Sequence, residues 1–318
     1  MWRMQCQIEW DGLDGPEWDR RFARLRRANL LQSRAYAEAV CPAQGQRPRR
    51  GAIRIDGELA GLVQIQEAAL LRRLIHALIL DRGPLWFEGF GAAEHARAFF
   101  AAFTRAFPAR AGRRRRVIPE LPRRQAHAAL EGLDLAALPG HLPYQTIWLD
   151  LTPEPAEIRT RLRGKWRNAL NRAERAGIEV VWDWSGAALM PLMAHYMRDR
   201  AEKRYPGPEP AVIAALARRF VPEGGMGIAT AVHDGLPLGQ ILVFCHGRSA
   251  TYQIGWTGEA GRRLAASHLL LWNAIETLRR RGIADFDLGG VNDEGAAGVK
   301  KFKMGLSGEL VELAGQYR

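Results

Sequence analysis

Residues 230–244, Thr-Ala-Val-His-Asp-Gly-Leu-Pro-Leu-Gly-Gln-Ile-Leu-Val-Phe, carry an Asp-Gly pair between two runs rich in β-forming residues. Residues 52–65, Ala-Ile-Arg-Ile-Asp-Gly-Glu-Leu-Ala-Gly-Leu-Val-Gln-Ile, have the same arrangement, with a second glycine four residues after the first in both copies. Asp-Gly between such runs predicts a β-hairpin, because a type I′ turn needs positive φ at both central residues. Equivalent positions are 178 residues apart, as between Asp56 and Asp234. We therefore predict an internal duplication.

The length of the chain also favours two halves. With 318 residues it exceeds the roughly 250–300 residues that one hydrophobic core usually serves. Hydrophobic residues make up 47% and charged residues 25%, which is typical of globular domains. Alternating strand and helix patterns predict an α/β fold with mixed sheets. We expect an N-terminal domain at 1–146 and a C-terminal domain at 147–318.

The charge balance is strongly basic. The chain has 46 Lys and Arg against 34 Asp and Glu, a net charge of +12. Such a surface attracts polyanions such as RNA, nucleotides or anionic lipid headgroups. The run 105–124 holds eight arginines and one acidic residue, Glu120. We therefore consider an RNA contact there and on a basic helix; the alternative is a solvated basic edge without a partner. The candidate RNA-binding residues are Arg113, Arg114, Arg115, Arg116, Lys165 and Arg167.

Three cysteines, Cys6, Cys41 and Cys245, are far apart and form no Cys-x-x-Cys pair. This pattern predicts neither a disulfide framework nor a zinc site, and we expect no metal. The first residues lack an apolar segment, so we expect no signal peptide. The longest apolar run, Leu74–Leu80, contains His76 and is too short to span a bilayer. These features predict a cytoplasmic protein.

Local patterns place several elements. Thr152 as N-cap and Pro153 at the first helical position predict one helix that runs to Gly177. Residues 70–80 are expected to form a strand, followed by a turn at 81–84. A long helix is predicted at 265–281 and a strand at 283–288.

The C-terminal block is the most distinctive segment. It contains Phe-Asp-Leu-Gly-Gly-Val-Asn at 286–292 and Gly-Val-Lys-Lys-Phe-Lys-Met-Gly at 298–305. A strand that ends in Gly-Gly allows a ligand to approach the backbone closely, and the lysines could neutralise a phosphate. The alternative is a turn between two strands, with the lysines pointing into water.

This block resembles the Fem family of peptidoglycan-bridge aminoacyltransferases. Its members show Asp-x-Gly-Gly at the end of a strand, then Gly-x-x-x-Phe-Lys, and a basic helix that ends in Ala-x-x-x-Gly; here these are 287–290, 298–303 and 173–177. Gln32-Ser33 and Arg82 to Leu85 also stand where the family has similar signatures. The resemblance covers nearly the whole chain. It implies two tandem GNAT-like domains, with the C-terminal tail packing back on the first.

The resemblance also implies the activity. Fem enzymes move an amino acid from aminoacyl-tRNA, the co-substrate, to an amine, usually on a peptidoglycan precursor; they need no other cofactor. A related cell-envelope or metabolite amine is an open alternative, as is contact with a membrane surface. We expect a monomer. Lys303 would bind a precursor phosphate, together with a partner among Arg200, Lys203 and Arg204. The remaining candidate substrate-binding residues are Lys301, Phe302, Tyr252, Gly289, Gly290 and Asn292.

The chemistry requires little of the protein. An aminoacyl ester is already activated, so alignment of the reactants and stabilisation of the oxyanion suffice, and no catalytic triad is expected. Asp287 is a weak candidate for a base, and its alternative role is to shape the turn. Cys245-His246 is predicted to sit in a hairpin turn, which argues against a nucleophilic role.

Two other functions remain open from the sequence. An acyl-CoA-dependent N-acyltransferase would hold pyrophosphate at 261–267, but Ala265 stands where glycine is wanted and Ser267 stands where glycine or alanine is wanted. A non-catalytic module that binds RNA or anionic lipid is the third hypothesis. The chain also departs from the Fem pattern: we find no long helical insert in the second domain, and Ser307-Gly308 replaces a Gly-Gly pair.

Overall fold

The computed structural model describes residues 4–71, 74–140, 142–291 and 297–318. The chain divides into two compact units, each an α/β structure built on a mixed sheet. Unit 1 contains Met1–Gln145 and Val311–Arg318, and unit 2 contains Thr146–Leu310. The predicted α/β fold class is confirmed.

Unit 1 is built on one sheet with the strand order β1-β2-β3-β4-β6, and β5 pairs with β3. Its strands are antiparallel, except that β4 and β6 are parallel. Helix α3 buries Phe99, Phe100 and Phe103 against the sheet. The elements are β1 (Cys6–Trp10), α1 (Gly15–Phe22), α2 (Arg34–Val40), β2 (Arg47–Ile55), β3 (Glu58–Leu70), β4 (Ile75–Gly83), β5 (Leu85–Trp86), α3 (Ala93–Ala106), β6 (Arg113–Pro119) and α4 (Ala126–Leu130).

Unit 2 is built on the second sheet, in the order β13-β7-β12-β11-β10-β9-β8. Strands β11 and β12 are parallel, and helices α6 and α10 bury apolar residues against the sheet. The elements are β7 (Gln145–Asp150), α5 (Pro155–Arg161), α6 (Gly164–Arg175), β8 (Glu179–Asp183), α7 (Leu189–Lys203), α8 (Pro210–Phe220), β9 (Met226–His233), β10 (Leu236–His246), β11 (Ser249–Thr257), α9 (Glu259–Arg263), α10 (Ala266–Arg280), β12 (Asp285–Gly290), α11 (Ala297–Met304) and β13 (Glu309–Glu312).

The two Asp-Gly hairpins share register as well as sequence. In unit 1, Ile55 pairs with Glu58, and the register shifts so that Ala60 is the extra residue. In unit 2, His233 pairs with Leu236, and Leu238 is the extra residue, again 178 positions later. All four turn residues have positive φ, as a type I′ turn requires. A shared bulge is a stronger sign of duplication than the turn alone, because it fixes a local bend that the turn does not need.

Motif residues of unit 1 support its framework. Gln32 Nε2 donates to the carbonyl oxygens of Gln64 and Asp81, at 3.0 and 2.7 Å, and its Oε1 accepts from the Gln64 N–H at 2.7 Å. The buried Arg82 guanidinium pairs with Glu120 at 2.7 Å. These side chains satisfy buried polar groups, which would otherwise carry a desolvation cost.

The C-terminal tail belongs to unit 1. Val117 and Tyr317 exchange two backbone hydrogen bonds, at 2.9 and 2.8 Å, and the Ala314 N–H donates to Leu121. Leu313 is 1% exposed. The tail therefore contributes both hydrogen bonds and apolar burial to this unit.

Several local predictions were wrong. The helix expected from Pro153 to Gly177 is two helices, α5 and α6, which are separated at Leu162 and Arg163. Leu162 is buried, and the Arg163 N–H bonds the Gly305 carbonyl at 3.0 Å, so tertiary contacts replace a helical turn. Helix α5 begins after Glu154, with Pro155 in its first turn; Thr152 bonds Asp150 instead.

Three further segments differ from their prediction. Strand β4 begins at Ile75 and continues through the expected turn at 81–84 as far as Gly83. The segment that contains the lysines of the C-terminal block is helix α11 rather than a turn. Cys245-His246 ends strand β10 rather than lying in a turn.

Candidate active site

The parallel pairing of β11 with β12 ends early. Its described pairs run from Ser249–Asp285 to Thr251–Asp287, while β11 continues to Thr257. The register of β11 against β10 also shifts after Tyr252. The bulge and the end of the ladder leave the edge of β11 from Tyr252 onward available to a ligand, because its backbone groups have no β12 partner among the described residues.

Glycines allow a close approach of the two strands at this point. Gly289 has a φ of +73°, and a Cβ there would lie 2.8 Å from the Tyr252 carbonyl oxygen. Asp287 fixes this bend: it is fully buried and accepts from the Thr146 hydroxyl and, at 2.8 Å, from the Gly289 N–H. Both acceptor contacts are structural, and the role of Asp287 as a base stays a prediction.

Lys303 points into this region rather than into water. Its side chain is 6% exposed, and its Nζ donates to the Gly290 carbonyl at 3.3 Å. The ammonium lies 5.0 Å from the centroid of the Tyr252 ring, within the range of a cation–π interaction. Burial lowers the pKa of Lys303 to about 8, although the nearby Asp287 carboxylate opposes that shift. The ammonium is thus a concentrated positive charge in a largely dry environment.

The Tyr252 ring packs beside the Lys303 ammonium. Burial raises the pKa of Tyr252 to about 12, so the phenol stays neutral. A Cβ at Gly255 would collide with its hydroxyl, so the glycine is needed for this ring position. Burial, the Asp199 carboxylate and the neighbouring Tyr196 and Tyr252 all raise the pKa of Tyr205. Helix α7 packs against β11, the strand that carries Tyr252.

The basic residues of α7 differ in their availability. Arg200 pairs with Glu209 at 2.6 Å, and Lys203 pairs with Asp199 at 2.5 Å. Arg204 is exposed, has a φ of +54°, and has no side-chain partner among the described residues. Of the three, Arg204 is the one whose charge is available to a substrate without breaking an ion pair.

The residues around Lys303 have different positions. Lys301 is exposed on the outer side of α11. Phe302 packs on the opposite side, with its ring centroid 6.1 Å from Trp166 and 4.9 Å from His268. Burial lowers the pKa of His268 to about 4, so this cluster is neutral. The aromatic contacts anchor α11 and thereby position Lys303. Asn292 lies outside the described residues.

The segment before α10 corresponds to the predicted pyrophosphate loop. Ala265 has a φ of +59° and immediately precedes the helix. The hydroxyls of Thr257 and Ser267 lie 2.7 Å apart, and the Arg262 side chain bonds the Thr257 carbonyl at 2.7 Å. Helix α10 is long enough for its N-terminus to attract an anion.

The candidate RNA-binding residues lie in both units. In β6, Arg113 donates to His76 at 3.2 Å, Arg115 to Asp134 at 2.9 Å and Arg116 to Asp81 at 3.0 Å. The Arg115 side chain is 5% exposed, whereas Arg114 is exposed. In α6, Lys165 is exposed and Arg167 donates to the Thr160 carbonyl at 3.4 Å. Arg114 and Lys165 are therefore the most accessible of the six, and an RNA contact stays a prediction.

The sequence did not indicate two residues of the site. Thr146 is 141 positions from Asp287, and no local pattern links them. Tyr205 is an aromatic residue in the helix-breaking Tyr-Pro-Gly-Pro segment 205–208, and that composition is the signal that could have indicated a shaped loop.

Among the described residues, no helix combines the length and apolarity needed to cross a membrane. Nor do these residues contain a group of three or more His, Cys, Asp or Glu side chains that could hold a metal ion.

Comparisons with known proteins agree with this architecture. No curated protein matches the sequence. The crystal structure of FemX matches with a TM-score of 0.77 and 15% identity, covering 97% of this chain and 96% of that chain. A conserved protein of unknown function from Bacteroides thetaiotaomicron matches with a TM-score of 0.58 and 10% identity, over 98% of both chains.

A third structure is the C-terminal DUF2156 domain of an Agrobacterium fabrum protein designated a lysylphosphatidylglycerol synthetase. It matches with a TM-score of 0.52 and 16% identity, over 96% of this chain and 91% of that chain. The model of the acetyltransferase (GNAT) domain matches residues 159–304, which include Tyr252, Gly289, Gly290 and Lys303. The chain therefore has two tandem GNAT-like units and the fold of FemX, with an acetyltransferase (GNAT) domain in its second unit.

Proposed function

We propose that this chain is an acyltransferase that moves an amino acid from aminoacyl-tRNA to an amine acceptor. The observation that carries the proposal is the buried Lys303 ammonium, held beside Tyr252 and the Gly289-Gly290 backbone where the β11–β12 ladder ends. This arrangement supplies a fixed positive charge beside the β11 edge that β12 no longer pairs. Such a charge can accelerate acyl transfer, because the intermediate of that reaction is an oxyanion.

The reaction balances without a cofactor. The acceptor amine attacks the ester carbonyl carbon, a C–N bond forms, and the carbonyl oxygen becomes an oxyanion. When the intermediate collapses, the C–O bond to the tRNA ribose breaks, and the ribose oxygen takes up the proton that the amine loses. We assign stabilisation of the oxyanion to the Lys303 ammonium. We assign orientation of the acceptor to Tyr252 and Arg204.

The donor and acceptor rest on the Fem resemblance. Aminoacyl-tRNA agrees with the net charge of +12, and a cytoplasmic location would follow from its use. A peptidoglycan precursor is the first acceptor to test, followed by other cell-envelope or metabolite amines. Arg204 is the side chain we propose for a phosphate of such an acceptor. A monomer would suffice, because each unit has its own core.

An acyl-CoA donor is the second candidate. It is favoured by the GNAT domain match and by the left-handed residue directly before helix α10, which shapes a turn at an anion-attracting helix N-terminus. Against it, Ala265 and Ser267 still lack the glycine pattern of the usual pyrophosphate loop.

A donor test separates the candidates. Purified protein is offered radiolabelled aminoacyl-tRNAs in one reaction and labelled acetyl-CoA in another, each with peptidoglycan precursors as well as a pool of bacterial amines. We expect label to move from tRNA into an amide, with the K303A variant as the inactive control. Transfer from acetyl-CoA alone would establish the second candidate and contradict the first.

A further inference from the structure

The tip of the β3–β4 hairpin exposes a concentrated apolar surface. Leu70, Leu71, Leu74 and Ile75 are 66, 69, 67 and 52% exposed. These four account for over a third of the exposed large hydrophobic side chains among the described residues, yet they lie within six positions. Scattered apolar residues on a surface need no explanation, but a contiguous group marks an interaction site.

The end of the hairpin projects beyond β2, whereas on its other side Gly112 and Arg110 lie beside Leu74. Strand β2 begins opposite Glu67, and β6 begins opposite His76, whereas β3 and β4 continue to the Leu70–Ile75 pair. At about 3.3 Å per residue, Leu70 extends about 10 Å past the start of β2. The tip is closed by the Leu74 N–H, which donates to the Leu71 carbonyl at 3.1 Å.

Arginines lie along the β4 side of this hairpin, close to its exposed leucines. Arg110 donates to the Leu74 carbonyl at 3.1 Å, and Arg113 is paired in register with His76. Adjacent to them is a surface cleft of about 670 Å³, whose charged lining is Arg110, Arg113, Arg114, Arg115, Asp134 and Arg318. The single carboxylate, Asp134, is held by Arg115 at 2.9 Å. The cleft is thus strongly positive.

We infer that this surface binds an anionic phospholipid bilayer: the exposed side chains of Leu70, Leu71, Leu74 and Ile75 contact the interface while the arginines of the cleft contact the headgroup phosphates. RNA would use the arginines but would leave four apolar side chains in water. A second copy of this chain would bring like charges together. An anionic bilayer satisfies both features, because it offers an apolar layer directly beneath a negatively charged surface.

Vesicle sedimentation tests this inference with the full chain and no substrate, so its outcome is independent of the proposed transfer activity. Vesicles of phosphatidylglycerol mixed with phosphatidylcholine are compared with phosphatidylcholine alone, at about 0.1 M salt. We expect binding to the anionic vesicles only. The double variant L71D/L74D should lower the partition coefficient at least tenfold, and R114E should lower it severalfold.

The control is L236D, because Leu236 is 67% exposed directly after the turn of the β9–β10 hairpin in unit 2. It should bind vesicles like the unmodified chain. The neutral pair L71S/L74S, with thermal melting of every variant, separates loss of binding from loss of folding. Absence of binding to anionic vesicles, or equal binding by L71D/L74D, would overturn the inference. A parallel loss of tRNA affinity in L71D/L74D would assign the surface to RNA instead.

Discussion

At the scale of single residues, Lys301 and Lys303 show how position in a helix decides chemistry. Both belong to the same basic run, but Lys301 is exposed and Lys303 is 6% exposed. Phe302 between them packs against Trp166 and His268, and this contact fixes the rotation of α11. Burial then weakens the hold of Lys303 on its proton. A surface lysine could not provide an equally unscreened charge.

Replacing Lys303 should identify its role. We expect K303A to lower kcat about 10²- to 10³-fold, which is the usual cost of removing one oxyanion donor. K303R keeps the charge and should retain more activity. Steady-state kinetics with each variant provides the measurement. An unchanged kcat with a raised acceptor KM would instead support the phosphate contact that the Fem resemblance implies.

The pH dependence follows from the same residue. Because only the protonated amine can stabilise an oxyanion, kcat should fall as pH rises through the pKa of Lys303, about 8. Deprotonation of the acceptor amine gives an opposing rise at lower pH. A pH–kcat profile should show the descending limb in the unmodified chain, and in K303R that limb should move to higher pH. A descending limb at the same pH in K303R would contradict this assignment.

Ala265 stands where the acyl-CoA loop has glycine and Ser307 where the Fem pattern often has glycine, and both keep a glycine-like backbone. Ala265 and Ser307 have φ values of +59° and +58°, in the left-handed region that costs other residues about 1–2 kcal/mol. We expect A265G to raise the free energy of unfolding by about 1 kcal/mol, measured by urea denaturation. The neighbouring variant A266G, within helix α10, is the control and should lower it by about 1 kcal/mol. Equal effects of the two would contradict the strain at Ala265.

At the scale of elements, the duplicated hairpins have diverged in what surrounds them. Gly61 and Gly239 occupy equivalent positions after the shared bulge. A Cβ at Gly61 would collide with the Leu85 carbonyl oxygen of β5, whereas one at Gly239 would lie 3.0 Å from the nearest atom, the Trp256 carbonyl oxygen. The glycine after the shared bulge is therefore packed against different neighbours in the two units, although the turn is the same.

Alanine at these two glycines should have unequal effects. We expect G61A to lower the free energy of unfolding by about 1–3 kcal/mol or more, because the β5 backbone must move. G239A should cost less, since small shifts relieve its contacts. Chemical denaturation of both variants measures the difference, and a larger loss for G239A would contradict the prediction.

At the scale of the whole molecule, the chain ends by completing its first unit. The tail after Leu310 hydrogen-bonds to Val117 and Leu121 and buries Leu313 in unit 1. Residues separated by almost two hundred positions are thus part of one compact unit. Folding of unit 1 therefore carries a larger entropic cost, because a long loop must be closed.

A substitution in the tail should therefore destabilise unit 1. Leu313 is 1% exposed, so L313A should lower the free energy of unfolding by about 2–5 kcal/mol. Leu310, three residues earlier, is 39% exposed, and L310A should change it by less than about 1 kcal/mol. Thermal unfolding followed by calorimetry provides the comparison. Similar melting temperatures for the two variants would show that the tail contributes little.

The sequence predicted local features where neighbours along the chain decide the outcome. The Asp-Gly turns, the end of α6 near Gly177 and the long helix before Gly282 were all predicted from adjacent residues. The prediction was wrong where distant contacts compete with local preference. Leu162 and Arg163 have a helical pattern, but burial of Leu162 and the bond from Arg163 to Gly305 divide the helix.

By itself, the sequence determined the α/β class, the duplication and the block that contains Lys303, because turn chemistry, periodicity and motif order are local properties. Only the tertiary structure decided that Lys303 faces Tyr252, that Thr146 supports Asp287, and that the leucines at 70–75 project beside a cleft of arginines. Such juxtapositions arise from strand pairing and helix packing between distant segments. Their physical origin is the burial and hydrogen bonding of the assembled chain, which no short stretch of sequence specifies.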